Sequence, residues 1–268
     1  MGRINIKFYS SLNKLLKKGR RDKELSLELK LRQSVKDLIE AQGIPHTEVG
    51  MILIDSKREE SSYILKDGQK IEVYPAFNDI EEAKFQNLIN YPKKFILDVH
   101  LGRLAKYLRI FGIDTLYENY YSDEEIVKTA LKEGRVILTR DRGILKRRVV
   151  KYGYLIKSNE SKEQLREIFL NFDILPKIKP FLRCISCNGI LEKADKEEII
   201  EELEPLTRKY YNEFFRCTIC KKIYWKGGHR ERMEEFANDF LKQFLYSLRD
   251  YKKNELLDKY NKGDLWKN

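Results

Sequence analysis

No stretch of the 268 residues approaches the ~18–20 consecutive apolar residues that a membrane-spanning helix needs. The opening residues, Met1-Gly-Arg-Ile-Asn-Ile-Lys7, alternate apolar and polar and lack the apolar core of a secretion signal, so a cytosolic protein without a membrane partner is expected. Glycine (14) and proline (6) are too few for a collagen or a low-complexity chain, and no internal repeat appears. Cysteine occurs four times, always between residues 184 and 220.

What the chain has in quantity is charge. Lys plus Arg number 53 against 42 Asp plus Glu, for a formal net charge of +11. The excess is uneven: residues 93–180 alone hold 19 basic and 12 acidic residues. A basic balance favours a polyanion, with RNA or DNA the first candidate; a generically basic soluble protein is the plain alternative. With 42% hydrophobic residues the chain can build real cores, and its length suits about two domains or three small ones at roughly 100–200 residues each.

Period-two alternation over residues 3–9 and 24–30 predicts two strands, separated by a turn at residues 19–22. A short amphipathic helix follows over residues 34–41, with Ser34 as N-cap and Gly43 after its end. Residues 51–54 and 70–74 supply two more strands. This order resembles a ubiquitin-like β-grasp over residues 1–77, close to the sulfur-carrier variety. Carriers act through a free C-terminal Gly-Gly, whereas here the last strand runs into Pro75 and the chain continues, so docking to the ribosome or another protein is the expected role. Residues 78–92 read as an acidic linker.

From residue 93 to 180 strands and helices alternate. Strands are expected at 94–98, 114–117, 135–139 and 153–156, and a helix at 101–111. Capping boxes at Ser122-Asp-Glu-Glu125 and Ser161-Lys-Glu-Gln164 open two further helices. Such alternation implies a parallel sheet with its active site at the carboxyl ends of the strands. Residues 181–229 carry the cysteines. A C-terminal helix, within residues 230–268, places Met233, Phe236, Phe240, Phe244, Leu248 and Tyr251 at helical spacing, which reads as a packing stripe.

Two constellations carry chemistry. Cys184-Ile-Ser-Cys187 and Cys217-Thr-Ile-Cys220 can each form a knuckle with two thiolates, and together they complete the tetrahedral sulfur shell of a structural zinc. The 29 residues between the knuckles exceed the usual ~15–20, so an insertion should bulge out there. A disulfide pair or unlinked core cysteines are the alternatives. Four thiolates leave no place in the shell for His229, which would touch nucleic acid or cap a helix.

The second constellation is acidic. Asp98 ends the first strand, Asp123 opens the second helix, and Asp141 follows the third strand. Converging on one sheet edge, the three would need cations to relieve their repulsion. Magnesium or manganese ions there would activate a water against a phosphodiester. Taken singly, each aspartate is more often a cap or turn residue, and Asp123 especially reads as an N-terminal helix charge. Arg103, Lys106 and Arg109 at i, i+3 and i+6, and Arg140 and Arg142 flanking Asp141, would hold the phosphate backbone; a solvated helix face is the bland reading. His100 is adjacent but not required.

Residues 95–115, Ser122-Asp-Glu-Glu-Ile126, Arg135-Val-Ile-Leu-Thr-Arg-Asp141 and the two knuckles resemble the Mut-seven C-terminal RNase domain. The resemblance implies a PIN-like nuclease fold with a fused zinc ribbon, often preceded by a ubiquitin-like domain. It also implies metal-dependent RNA cleavage with the acidic residues at Asp98, Asp123 and Asp141. PIN-like sites often add a fourth polar group, which would fall on Ser158 or Asn159; Asp114 is another helper or a structural residue. The expected protein is therefore an α/β ribonuclease with zinc and magnesium or manganese. The runner-up is a non-catalytic RNA-binding or ribosome-associated protein; a toxin-like nuclease is a weaker third. The RNA target and oligomeric state are not written in the sequence.

Overall fold

A computed structural model describes residues 2–76, 91–172 and 174–247. Most of the expected linker (residues 78–90) and the far end of the C-terminal helix, with Leu248 and Tyr251, lie outside them. Among the described residues no helix is long and apolar enough to cross a membrane.

Five strands form the N-terminal sheet: β1 (Gly2–Phe8), β2 (Glu24–Leu29), β3 (Val49–Ile54), β4 (Lys57–Arg58) and β5 (Lys70–Pro75). Their order is β2-β1-β5-β3-β4, with β1 and β5 parallel and the other neighbours antiparallel. This is the ubiquitin-like arrangement. Helix α1 (Leu12–Leu15) precedes α2 (Val35–Ala41), whose cap Ser34 accepts the amide of Asp37 at 3.1 Å, as the sequence predicts. Both α1 and β4 are too short to leave a periodic signal.

The central sheet is wholly parallel. Strands β6 (Lys94–Leu97), β7 (Asp114–Leu116), β8 (Val136–Thr139) and β9 (Gly153–Leu155) lie in the order β7-β6-β8-β9. Helices α3 (Gly102–Ile110), α4 (Asp123–Glu133), α5 (Arg142–Lys146) and α6 (Ser161–Asn171) alternate with them. The turn after α3 requires glycine: Gly112 sits at φ +74°, and a Cβ there would lie 1.9 Å from the Lys179 carbonyl oxygen. The capping box at Ser122 forms in full. The one expected at Ser161 does not. Glu160 is the N-cap, without a side-chain bond, and Gln164 Nε2 donates to the Ser158 carbonyl at 3.1 Å. Ser161 is already one residue inside the helix, where its hydroxyl cannot serve the cap.

Both faces of this sheet are covered, as its nearly unbroken apolar strands require. Phe95, Leu97, Val136, Leu138 and Tyr154 belong to a core shared with α3 and α6. Ile96, Ile137 and Leu155, at alternate positions, belong to the other core. That core is continuous through Ile126 and Val127 of α4 with Ile6, Leu38 and Val73 of the β-grasp. The β-grasp therefore packs on the central sheet. Tyr91, at the end of the linker, stacks edge-on against Tyr152 and Phe172.

A three-stranded antiparallel ribbon follows: β10 (Leu191–Ala194), β11 (Phe214–Cys217) and β12 (Ile223–Trp225). The expected insertion is present between β10 and β11, as α7 (Lys196–Ile199) and α8 (Pro205–Tyr210). Helix α9 (Gly228–Ser247) lays Ala237, Leu241 and Phe244 into the core beneath α3 and α6, and Phe240 and Phe244 meet Phe169 edge-on at 5.0 and 5.4 Å. The packing reading of this stripe holds for the described residues.

One polar contact at the β-grasp junction has a measurable consequence. Glu48 is 1% exposed, and its Oε1 accepts the amide of Leu155 at 2.7 Å. Burial pushes its pKa up to about 7, although Lys157 and the Leu155 amide pull the other way. A carboxyl that holds its proton more tightly when folded contributes stability below its unfolded pKa, and that contribution is lost as pH rises through the folded value. Wild type should lose stability relative to Glu48→Gln between about pH 4.5 and 7, by no more than about 3 kcal/mol. Urea unfolding of both proteins at several pH values measures this; parallel pH profiles would refute it.

Candidate functional site

Asp98 sits at the carboxyl end of the central strand β6 and is 4% exposed. Its Oδ1 accepts the His100 amide at 2.8 Å. Its Oδ2 accepts the Thr139 hydroxyl and, at 3.1 Å, the Arg140 amide. Thr139 ends the neighbouring strand β8, and its Oγ1 in turn accepts the amide of Asp141 at 2.9 Å. A single threonine hydroxyl thus joins the two aspartate segments. Asp141 caps α5, with Oδ1 accepting the Gly143 amide at 2.7 Å.

Asp123 opens α4, and its Oδ2 pairs with Arg147 at 3.2 Å. The three aspartates do not close into one shell. Among the described residues, the only group of three or more potential ligands with atoms within 4.8 Å of one another is the cysteine quartet. Asp98 and Asp141 offer the hard oxygen donors a divalent cation takes. Asp123 is turned to Arg147.

The basic residues divide. Arg103 and Lys106 are exposed on α3, and exposed Arg140 bonds Asn159 through its guanidinium, bringing one of the two expected fourth groups to this edge. The other, Ser158, points back instead: its Oγ accepts the Glu160 amide at 3.1 Å.

Arg109 corrects the expectation of an RNA contact. It is 2% exposed, and its guanidinium donates to the carbonyls of Thr115 (2.9 Å), Tyr117 (3.3 Å), Ile185 (3.0 Å) and Ser186 (2.9 Å). Each step of three residues turns a helix about 60° backward, so Arg109 has rotated about 120° from Arg103, off the polar face. Desolvation lowers its pKa. Arg109→Ala would strip four carbonyls of their donor and should destabilise the fold by about 3 kcal/mol or more, read as a lowered Tm. Arg142 is exposed but not free of protein partners. Its Nη1 donates to the β-grasp carbonyls of Leu15 (3.4 Å) and Gly43 (3.3 Å), so it is engaged by protein.

The cysteine cluster is the best-formed centre. Cys184 and Cys220 sulfurs lie 3.6 Å apart, and Cys187 and Cys217 sulfurs 3.4 Å, far beyond a disulfide bond. Zn–S bonds of about 2.3 Å in a tetrahedron put sulfurs about 3.8 Å apart, so the spacing fits zinc. The second knuckle turns its Ile219 amide onto Cys217 Sγ at 3.4 Å. Gly189 makes room: a Cβ there would come within 2.6 Å of Cys217 Sγ. Burial disfavours ionised thiols. For Cys184 the hydroxyl of Tyr224 at 3.0 Å, with neighbouring amides and thiols, outweighs it and brings the pKa down to about 7, whereas Cys187 is pushed up to about 12. Four thiolates at neutral pH therefore call for a cation. His229, in the first turn of α9, is outside this cluster.

The first knuckle is bonded to the edge of the central sheet. Asn188 Oδ1 accepts the Thr115 amide at 2.9 Å, its Nδ2 donates to Asp114 at 2.9 Å, and Arg109 holds Ile185 and Ser186. Asp114 also pairs with Arg135 (2.7 Å) and Arg183 (3.2 Å). Asp114 is thus structural, one of the two readings its strand position permitted. No sequence pattern singled out Asn188 or Thr139, because Asn188 bonds Asp114 and Thr115 and Thr139 bonds Asp98, all distant in the chain.

No curated protein and no solved structure matches the chain. Two family models do: the Mut7-C ubiquitin domain over residues 1–81, and the Mut7-C RNAse domain over residues 93–237. The second spans more than half of the chain and takes in Asp98, Asp141 and all four cysteines. The chain belongs to the Mut7-C RNAse domain family.

Proposed function

We propose that this protein is a metal-dependent ribonuclease whose centre is the carboxyl edge of β6 and β8. The observation that carries the reading is the linkage of Asp98 through Thr139 to Asp141, within the stretch that matches the RNase family. Asp98 and Asp141 would hold magnesium or manganese, which when bound polarises the phosphodiester and lowers the pKa of the attacking water. Thr139 and the amides of His100 and Arg140 keep Asp98 aimed, so little reorganisation is needed when RNA arrives. Arg140, with Arg103 and Lys106, holds phosphate oxygens. Asp123, whose Oδ2 is on Arg147, would complete the acidic set. The cysteine ribbon carries structural zinc and extends the basic surface.

A non-catalytic RNA-binding reading is favoured by one observation, the failure of the three aspartates to close into one shell. Cleavage of a labelled single-stranded RNA in magnesium or manganese, by wild type, Asp98→Asn and Asp141→Asn, separates the two. RNA binding without cleavage in any metal would leave the second reading standing.

A further inference from the structure

We infer that the ubiquitin-like domain is a positioning element of the candidate nuclease centre in cis, clamping the short helix that carries Asp141 at its cap; this rests on the nuclease reading above. Helix α5 has only five residues and begins directly after Asp141. A helix of that length is not stable by its own hydrogen bonds. Its polar anchors come from the β-grasp. Arg142, next to Asp141, donates to the carbonyls of Leu15 and Gly43, and Lys146 Nζ donates to the carbonyl of Glu40 at 3.3 Å.

The segment after α5 is held the same way. His46 Nε2 donates to the Val150 carbonyl at 2.9 Å, while its Nδ1 faces Glu40 Oε1 at 2.6 Å. Glu48 takes the amide of Leu155, at the end of edge strand β9. Beneath these bonds Ile144 and Leu145 of α5 share one apolar core with Leu15, Leu16 and Ile44 of the β-grasp. Asp98 is set by the central sheet itself, whereas Asp141 has only its amide on that sheet, through Thr139, and its carboxylate on Gly143 of a helix whose outer side is the β-grasp. The spacing between the two carboxylates therefore depends on the domain junction as well as on the sheet.

The test uses the full chain and two readouts. Arg142→Ala should lower kcat on a labelled single-stranded RNA about tenfold, since misplacement of a catalytic group by a fraction of an ångström costs rate. KM should stay within about twofold and its salt dependence unchanged, because Arg142 meets carbonyls and not phosphates. Amide exchange of residues 142–146 should rise at least about tenfold while that of β6 stays put. Lys146→Ala should behave alike, and Arg142→Lys should recover part of the rate. A raised KM with unchanged kcat would make Arg142 an RNA contact and overturn the inference, as would unchanged exchange in α5. If wild type cleaves no RNA, the nuclease reading fails by itself, and the exchange result alone decides whether the clamp exists.

Discussion

Asp98→Asn should reduce RNA cleavage by at least about a hundredfold while leaving RNA affinity nearly unchanged. Asparagine matches the carboxylate in shape but has one acceptor oxygen and no charge. Asp98 uses both oxygens, one on the His100 amide and the other on Thr139 and the Arg140 amide. Whichever way the amide turns, its NH2 group faces a donor. Part of the effect is then structural, of order 1–3 kcal/mol in stability. Asp141→Asn separates the contributions. Asp141 is exposed and uses one oxygen on the Gly143 amide, so asparagine can keep that bond with little effect on stability. Loss of cleavage in Asp141→Asn at an unchanged Tm would be a chemical defect. Cleavage that survives both substitutions would sink the proposed centre.

Removing zinc should have the larger effect on the fold. Purified protein should contain one zinc per chain, and Cys217→Ser or a strong chelator should abolish its binding. Structural zinc contributes on the order of 10 kcal/mol to small metal domains, so the three-stranded ribbon should unfold without it. The damage should not stop there. The Cys184–Cys187 knuckle receives both Arg109 and Asn188, which tie it to the edge strand β7 and to Asp114. Loosening the knuckle frees a buried guanidinium and exposes the sheet edge. Chelation should therefore lower the Tm of the whole central unit and not only erase ribbon signals. Because thiolates must be deprotonated to bind, acid should release zinc and mimic the chelator. Full-length protein without zinc and with an unaltered Tm would reject the cluster as a metal site.

The order of the four strands and three longer helices of the central segment was legible because its signals are local, whereas the five-residue α5 was too short to leave one. Period-two runs, the Ser122 capping box and a glycine after α3 each specify backbone conformation over a few residues. The two cysteine knuckles were legible for the same reason, since each pair acts across two intervening residues. Asp98 and Asp141 could be placed at one edge once the sheet was known to be parallel. Where the reading failed, longer distances decided. Arg109 looked like a phosphate contact, but about 120° of helical rotation turned it inward to four carbonyls. That Arg142 also reaches β-grasp carbonyls was equally invisible in the sequence. The Ser161 box failed because the helix began one residue early, with Glu160 as its cap.

By itself the sequence determined the longer elements, the family, the cysteine cluster and the pair of strand-end aspartates, all of which follow from residue type and spacing along the chain. Only the tertiary structure decided what each charge does. A guanidinium costs too much to bury unpaired, so its role depends on which carbonyls or carboxylates the fold brings within about 3 Å. That proximity made Arg109 and Asp114 part of the ribbon's attachment, turned Asp123 toward Arg147, and set the β-grasp against the helix that begins at Asp141.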